Sequence, residues 1–363
     1  NCKNIIVGAG WGGAYFAYRT AVHRTYLKGK KKTTIFHASE TCIFEAQDRI
    51  GGRAYSHNIT ELNGVRVDLG AYRWDVFAQP LVNQVMTNIL GLRARCYDRD
   101  ACDKFFGRLL VAETKDGNPS GYASGPEGLV DLFKQQGGRL CKKHRLTNIV
   151  KSTQNPKDME LTFEHEGQKK TVTASNVFLN MPAAAISALE EGNVLRKTEG
   201  HVHQALFDLP RQEVGAKQFL VYPSAPWRSA KYPNLWNGTF STPAPGDAKN
   251  CTKTQYSCVP NEEPPCRRTE PKLVGRFFDF YSSCGECPVC SHSAILTYYA
   301  FECEYVQYYA QFQKNLSDPY VYIPYDKARN TPEERRLIEK AHQLFDQQLR
   351  QHDPTFQEPL PEP

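Results

Sequence analysis

Three glycines near the amino terminus have the spacing that a phosphate-binding turn requires. The apolar run Ile5-Ile6-Val7 is typical of a buried parallel strand, and Gly8, Gly10 and Gly13 follow it directly. In such a turn the first glycine allows the tight bend, the second lets the backbone approach a pyrophosphate, and the third permits close helix packing. The amides and dipole at the start of that helix favour negative charge. The motif therefore predicts a dinucleotide site, although a plain strand-to-helix corner also uses such glycines.

A carboxylate stands at the end of the next predicted strand. Thr41-Cys42-Ile43-Phe44 reads as this strand, and Glu45 follows it. An acidic side chain there can accept hydrogen bonds from ribose hydroxyls. Glu45 comes later than the roughly 20 residues that usually follow the glycines. The basic stretch 28–32 explains the excess as an inserted loop, an interpretation that we favour over a binding patch.

The residues after Glu45 resemble the flavin amine oxidase family, which includes monoamine, polyamine and L-amino acid oxidases. Arg49, the pair Gly51-Gly52 and Arg53 match the arginine, glycine pair and second arginine that follow the acidic residue in that family. The resemblance implies that the cofactor is FAD, with Gly52 and Arg53 at its diphosphate. A guanidinium suits this role because its planar fork pairs with two phosphate oxygens.

Later segments extend the resemblance to the amine oxidases. The segment that contains Gly70 and Ala71 resembles the one that passes under the isoalloxazine ring, which implies backbone contact with the flavin. Residues 121–130 resemble the motif that opens a helix in the family. Leu146 begins a segment similar to the strand whose backbone meets adenine, and residues 177–182 resemble the strand and turn that re-enter the nucleotide domain.

Lys217 lies in the sharpest of the later matches, the run from Gly215 to Tyr222. In the family a lysine at this point holds a water molecule against flavin N5. The alternative is a surface lysine on a strand edge, which composition alone favours. The surrounding pattern and the nearby Pro226-Trp227 favour the functional role, and under this hypothesis Trp227 is expected to line the substrate pocket.

Arg73 resembles an arginine of the L-amino acid oxidase branch that clamps the α-carboxylate of the substrate. A buried arginine is costly without an anionic partner. The alternative is therefore a structural ion pair with Asp68 or Asp75. Gln79 stands where that branch often carries a histidine, which puts an acid–base contribution from this position in doubt.

The resemblance implies an FAD-dependent oxidase that converts an L-amino acid to an imine and then a keto acid, while O2 is reduced to H2O2. Lys217 and Arg73 would then be the catalytic residues. Two alternatives stay open. One is a polyamine or monoamine oxidase, and the other is a non-catalytic scaffold or interaction subunit with the same fold.

The implied fold class is α/β, with an FAD-binding Rossmann-like (GR2-type) domain interleaved with an α+β substrate domain. A chain of 363 residues exceeds the size at which one core usually keeps growing. We expect parts of the FAD-binding domain at residues 1–75 and 121–185. A substrate or helical region is expected at 76–120, and the substrate domain at 186–363 with a Cys-rich insertion at about 242–293.

The carboxyl-terminal part contains a clear helix signal. The helix is predicted to begin at Thr331, with Pro332 in its first turn and Glu334 completing a capping box. A strand is predicted over residues 295–301. Six apolar residues recur at helical spacing and predict one buried stripe: Leu337, Ile338, Ala341, Leu344, Phe345 and Leu349.

Composition bounds the class of protein and its location. The net charge of +6 is spread along the chain without the clustering of a nucleic-acid binder, and no apolar run reaches the roughly 18 residues of a membrane span. Twelve cysteines and four N-x-S/T sequons favour the secretory route. We therefore expect a secreted protein with N-glycans at Asn58, Asn237, Asn250 and Asn315.

The cysteines are divided unevenly along the chain. Five precede residue 150 and seven follow it, so at least one disulfide joins the two parts if every thiol pairs within the chain. Cys284, Cys287 and Cys290 have the spacing of metal ligands. The secretory context favours disulfides over a metal in this segment, and no metal is predicted.

One part of the amine oxidase pattern does not occur in a usable place. Family members finish with a Gly-Glu pair after a strand and a later Gly-Trp-x-x-Gly-Ala run that opens a helix, whereas Gly285-Glu286 lies within the cysteine cluster. We therefore expect a second polypeptide to complete the flavin site, so that this chain is the large chain of a processed or heteromeric enzyme.

Overall fold

The chain forms two compact units, and each consists of two separate stretches of sequence. The first unit contains residues 1–56 and 70–210, and the second contains 57–69 and 211–363. The domain boundaries given above stay predictions. The computed structural model describes residues 2–23, 34–59, 65–96, 109–113, 120–197, 216–229, 231–232, 235, 237–241, 274–278, 293–300, 309, 311–312 and 323–363. The basic stretch 28–32, the three clustered cysteines from Cys284 to Cys290, and the sequons at Asn250 and Asn315 lie outside these residues.

The described residues form strands and α-helices in both units. In chain order the strands are β1 (Asn4–Val7), β2 (Thr41–Phe44), β3 (Ser56–Ile59), β4 (Val65–Asp68), β5 (Trp74–Asp75), β6 (Arg93–Cys96), β7 (Leu109–Glu113), β8 (Arg139–Cys141), β9 (Arg145–Lys151), β10 (Met159–His165), β11 (Gln168–Ala174), β12 (Asn176–Leu179), β13 (Ala216–Tyr222), β14 (Asn237–Ser241), β15 (Val274–Phe278) and β16 (Ser293–Ala300). The α-helices are α1 (Trp11–Ala17), α2 (Pro80–Asn83), α3 (Ser124–Gln135), α4 (Ala183–Ser187), α5 (Val194–Lys197) and α6 (Pro332–His352). Helix α1 continues as a π-helical turn at Tyr18–Val22.

A four-stranded parallel sheet forms the centre of the first unit, in the order β12-β1-β2-β8. Val7 pairs with Leu179 on one side and with Phe44 on the other. All four residues of β1 are buried, as expected for a strand in the middle of a parallel sheet. The predicted α/β fold with a Rossmann-like parallel sheet is confirmed, and β2 occupies the predicted residues 41–44.

The segment between α1 and β2 is closed at its base by backbone hydrogen bonds. The N–H groups of Ile35 and Phe36 both donate to the carbonyl oxygen of Thr20, at 2.8 and 2.9 Å. Residues 24–33 lie outside the described part of the chain. The described residues on either side of this segment are therefore held close together.

Two antiparallel sheets and a disulfide complete the first unit. The sheets have the strand orders β11-β10-β9 and β5-β7-β6. A disulfide joins Cys2, just before β1, to Cys42 in β2. Cys96 is also disulfide-bonded, whereas Cys141 is a free thiol whose pKa is raised by burial.

The second unit contains two-stranded antiparallel sheets and the long helix α6. The sheets are β13-β16, β14-β15 and β3-β4. The predicted capping box is confirmed, since the Thr331 hydroxyl accepts from the Glu334 N–H and the Glu334 carboxylate accepts from the Thr331 N–H. Leu344 is half-buried and packs against the core, and the other five residues of the predicted stripe are buried.

Trp227 belongs to the core of the second unit. Its ring meets Tyr222 and Phe345 edge to face, with ring centres 5.3 and 5.0 Å apart, and the side chain is 0 % exposed. The expectation that Trp227 lines a substrate pocket is therefore wrong, because a fully covered ring offers no surface to a ligand. Its apolar area stabilises the packing of α6 instead.

Candidate functional site

The glycine turn after β1 has a backbone that only glycine fits. Gly8 has φ +104°, and a Cβ atom there would lie 2.5 Å from the carbonyl oxygen of Asn180. A Cβ atom on Gly13 would lie 1.8 Å from the carbonyl oxygen of Gly8. Both distances are far below van der Waals contact, so the turn and the start of α1 pass as closely as a phosphate-binding turn requires.

The second glycine pair lies directly against this turn. Gly10 and Gly51 form a parallel bridge, and the Gly51 N–H donates to the carbonyl oxygen of Ala9 at 2.9 Å. Gly51 and Gly52 have φ +113° and +59°, and a Cβ atom on Gly51 would lie 2.2 Å from the Ala54 carbonyl oxygen. The structure therefore brings the two glycine motifs together at the carboxyl end of the sheet.

Arg53 and the Gly70-Ala71 segment continue the same surface. The Ala71 N–H donates to the carbonyl oxygen of Arg53 at 3.0 Å, and the Gly70 N–H donates to that of Tyr55 at 3.2 Å. A Cβ atom on Gly70 would lie 2.1 Å from the Arg53 carbonyl oxygen. The Arg53 side chain is exposed, so its guanidinium is available to an anionic ligand.

Glu45 braces the phosphate turn from the end of β2. Its carboxylate accepts hydrogen bonds from the N–H groups of Ala9 and Gln47, each at 2.8 Å and on different oxygens. The residue is 7 % exposed. Each oxygen keeps further acceptor capacity, since a carboxylate has about four lone-pair sites. The sequence predicted a ribose-binding carboxylate, and the bracing of Ala9 is an additional contact that it did not predict.

Leu146 lies in β9, opposite Phe163 of β10. Its side chain is buried in a core that includes Phe44 of β2. The contact between its backbone and adenine that the resemblance implies stays a prediction.

Lys217 lies in β13 of the second unit, and its side chain is half-buried. The ammonium group donates to the carbonyl oxygen of Asp68 at 3.3 Å. The side chain is thus anchored on the end of β4 within the second unit, which differs from the solvated surface lysine of the alternative interpretation.

Arg73 lies in the first unit, half-buried, with its guanidinium carbon 5.0 Å from the centre of the Tyr72 ring. One oxygen of the neighbouring Asp75 carboxylate accepts from the N–H groups of Phe77 and Ala78, both at 2.8 Å. Gln79 closes the same turn, since its side-chain oxygen accepts from the Asp75 N–H at 3.0 Å. Asp75 and Gln79 therefore have local structural roles.

Asn180 is a residue of this site to which the sequence had assigned no role. It follows β12 directly, and its N–H donates to the carbonyl oxygen of Val7 at 2.8 Å. The motif at 177–182 indicated a strand that enters the nucleotide domain, but not that this strand would lie next to β1. The pairing of β12 with β1 determines that Asn180 faces the glycine turn.

The described residues contain neither a metal cluster nor a membrane-spanning helix. Within the ranges given above, no group of three or more His, Cys, Asp or Glu side chains is placed to hold a metal ion. None of the helices in that part of the chain combines the length and apolarity needed to cross a membrane.

Comparison with known proteins supports the nucleotide-binding fold. Residues 6–89 match the family model of an NAD(P)-binding Rossmann-like domain. A search of curated protein sequences gives no significant match. The matched residues include the glycine turn, Glu45 and the second glycine pair. Together with the parallel sheet, they indicate an NAD(P)-binding Rossmann-like domain in this part of the chain.

Several solved structures share weak similarity with the chain. They include the Diels-Alderase PyrE3 of pyrroindomycin biosynthesis, at 12 % identity and TM-score 0.37, with 82 % of this chain and 46 % of that one covered. BexE of BE-7585A biosynthesis has 10 % identity and TM-score 0.34, with 68 % and 42 % covered. The p-nitrophenol 4-monooxygenase PnpA from Pseudomonas putida has 9 % identity and TM-score 0.32, with 61 % and 46 % covered. The chain spans less than half the length of each, and similarities this weak decide nothing about activity.

Proposed function

We propose that this chain is an FAD-dependent oxidase that resembles the flavin amine oxidases and oxidises L-amino acids, with O2 reduced to H2O2. The observation that carries the proposal is the pairing of Gly10 with Gly51, which joins the phosphate turn to the second glycine motif. A generic NAD(P)-binding turn needs only the first of these motifs. The pair followed by Arg53 is the part that resembles the amine oxidases.

The residues present fit a dinucleotide with a diphosphate. Four glycines (Gly8, Gly13, Gly51 and Gly70) have no room for a Cβ atom because backbone carbonyl oxygens lie against them, so the close backbone approaches that shape the turn require glycine. Glu45 would hold the ribose, and Arg53 with the Gly52 backbone would hold the diphosphate. A bound flavin would supply the acceptor for the two electrons of the substrate.

Arg73 supports an amino acid as the substrate. The guanidinium of Arg73 is half-buried and lies 5.0 Å from the centre of the Tyr72 ring, and its planar fork has the shape that pairs with a carboxylate. An α-carboxylate is the anion that amino acids carry and that monoamines and polyamines lack. In this proposal Arg73 orients the substrate, and Lys217, anchored on the Asp68 carbonyl oxygen, positions a water molecule.

An absorbance spectrum of the purified protein tests the proposal. Flavin bands that bleach anaerobically with an L-amino acid, together with peroxide formation in air, are the expected result. A colourless protein that takes up NAD but not FAD would refute the flavin assignment. Bleaching by a polyamine or monoamine alone would keep the flavin but remove the carboxylate role of Arg73.

A substitution separates the substrate role of Arg73 from a structural one. Arg73→Lys keeps the charge but loses the bidentate fork. We expect KM for L-amino acids to rise by about tenfold or more, since a bidentate charged pair contributes about 1.5–3 kcal/mol. Affinity for FAD should stay unchanged. An unchanged KM would remove Arg73 from the substrate site.

We also propose that the protein is secreted. Cys2 and Cys42 form a disulfide, Cys96 is disulfide-bonded, and bridges of this kind persist in oxidising compartments. Asn58, the acceptor of one sequon, is exposed on β3. Removal of N-glycans from the native protein should lower its intact mass, and an unchanged mass would remove the glycan part of the proposal.

A further inference from the structure

The side chain of Asn180 reaches across the glycine turn. Because the Asn180 N–H bonds to the Val7 carbonyl oxygen, the residue is fixed directly opposite Gly8. Its side-chain oxygen lies 3.1 Å from the point that a Cβ atom on Gly12 would occupy. Its own Cβ atom lies 3.5 Å from the corresponding point on Gly13. The amide group therefore sits beside the first residues of α1.

This place in the sheet is where a ligand is expected. In open parallel sheets the ligand binds outside the carboxyl ends of the strands, at the point where the strand order reverses. In this sheet β2 and β8 lie on one side of β1, and β12 lies on the other side. The strand order therefore reverses between β1 and β12. Asn180 is the residue that follows β12 at this point.

The amide of Asn180 has unused hydrogen-bonding capacity. Asn180 is half-buried, and its side chain makes no hydrogen bond with any residue in the described ranges. An asparagine amide offers two N–H donors and one oxygen acceptor, and the two ends exchange by a half turn about the last side-chain bond. Either a donor or an acceptor can thus face the turn.

We propose that Asn180 is a phosphate-binding residue, whose side-chain N–H donates to an oxygen of the dinucleotide diphosphate held by the Gly8 to Gly13 turn. This rests on the proposed dinucleotide binding. The backbone N–H groups at the start of α1 approach the phosphate from one side. Asn180 adds a neutral donor from β12 on the other side. A neutral donor suits the position because its partial burial is less costly than that of a charged group.

Binding of ADP and FAD to the apoprotein, measured by calorimetry, tests this role. ADP carries the diphosphate without the flavin, so its binding reports on the turn alone. We expect Asn180→Ala to weaken both ligands by about tenfold, the size of one hydrogen bond to a charged group. Asn180→Asp has the same shape but places a carboxylate beside the diphosphate. The affinity of Asn180→Asp for both ligands should be about a hundredfold lower at low salt. The difference should become smaller at high salt, because salt screens the repulsion.

A matched control lies on the same strand. Asn176 is at the opposite end of β12, where its side chain donates to that of Asn4 at 2.9 Å. Asn176→Ala should bind ADP within about twofold of the wild type, since it lies far from the turn along the strand. If both Asn180→Ala and Asn180→Asp bind ADP and FAD with wild-type affinity and have unchanged melting temperatures, Asn180 does not bind the phosphate. The dinucleotide site would still be supported in that case. Failure of the wild-type apoprotein to bind either ligand would overturn the dinucleotide site itself.

Discussion

Glu45→Ala should destabilise the first unit even without a cofactor. The substitution removes the acceptor of two hydrogen bonds, from Ala9 and from Gln47, each 2.8 Å long. Hydrogen bonds to a charged group contribute about 1.5–3 kcal/mol each. Ala9 is 0 % exposed, so its N–H cannot recover a water molecule, whereas the half-buried Gln47 can recover one in part. We expect a net loss of about 3 kcal/mol.

Thermal unfolding of the apoprotein measures this loss. About 3 kcal/mol corresponds to a decrease of roughly 6–12 °C in the melting temperature of a unit of this size. Glu45→Gln is expected to lie between the wild type and Glu45→Ala. Its amide has one acceptor oxygen for two N–H donors, and its NH2 group would face one of those donors.

Glu190→Ala is the matched control in the same unit. The Glu190 carboxylate pairs with Lys169 at 2.8 Å, but both side chains are largely exposed. Water and salt screen such pairs, so the melting temperature should change little. If Glu45→Ala shifts the transition no more than Glu190→Ala does, the bracing of the phosphate turn is not a source of stability.

Three further predictions concern the turn, the second unit and its helix. Gly13→Ala should abolish ADP binding in calorimetry, because the new Cβ atom would lie 1.8 Å from a carbonyl oxygen. Gly192 has open space around it, so Gly192→Ala should bind ADP normally. Equal ADP affinity of the two variants would contradict the steric argument. His342 is partly buried, which lowers its pKa, and its Nδ1 bonds the Tyr222 hydroxyl at 3.0 Å. As pH drops, His342 therefore takes up a proton in the unfolded chain before it does so in the folded protein. The free energy of unfolding should fall as pH drops from about 6.5 toward the lower pKa of the folded state. In urea unfolding, the stability of His342→Gln should depend less on pH in that window. Thr331→Ala should cost about 0.5–2 kcal/mol in urea unfolding through loss of the helix cap, and a value near zero would show that the cap adds nothing to the packed helix.

The features predicted best from sequence are those fixed by local chemistry. The apolar run before Gly8 predicts a buried strand, because a strand that is covered on both faces has mainly apolar residues. The cap at Thr331 could be predicted because its two partners, Thr331 and Glu334, stand three residues apart. In both cases the residues that decide the structure are neighbours along the chain.

Features that depend on distant neighbours were harder to predict. The sequence suggests that Trp227 is a pocket residue near Lys217, but it is fully buried in a core that includes α6. Nothing near residue 227 predicts contact with a helix that starts more than a hundred residues later. Asn180 likewise acquires its position from β1. The bracing of Ala9 by Glu45 needs the register of β1 and β2, which composition does not give.

The hydrogen bonds from Ile35 and Phe36 to Thr20 have a consequence for the length of the chain before β2. They hold Thr20 close to Ile35 and Phe36, so the two ends of the segment 24–33 lie near each other. The entropy of closing a loop grows slowly, by about 0.6 kcal/mol for each doubling of its length. A longer connection between these two ends therefore costs little. The large number of residues between Gly13 and Glu45 is therefore compatible with a ribose-binding role of Glu45. The position of Glu45 relative to the glycine turn is set by the pairing of β1 with β2 and not by the number of residues between them.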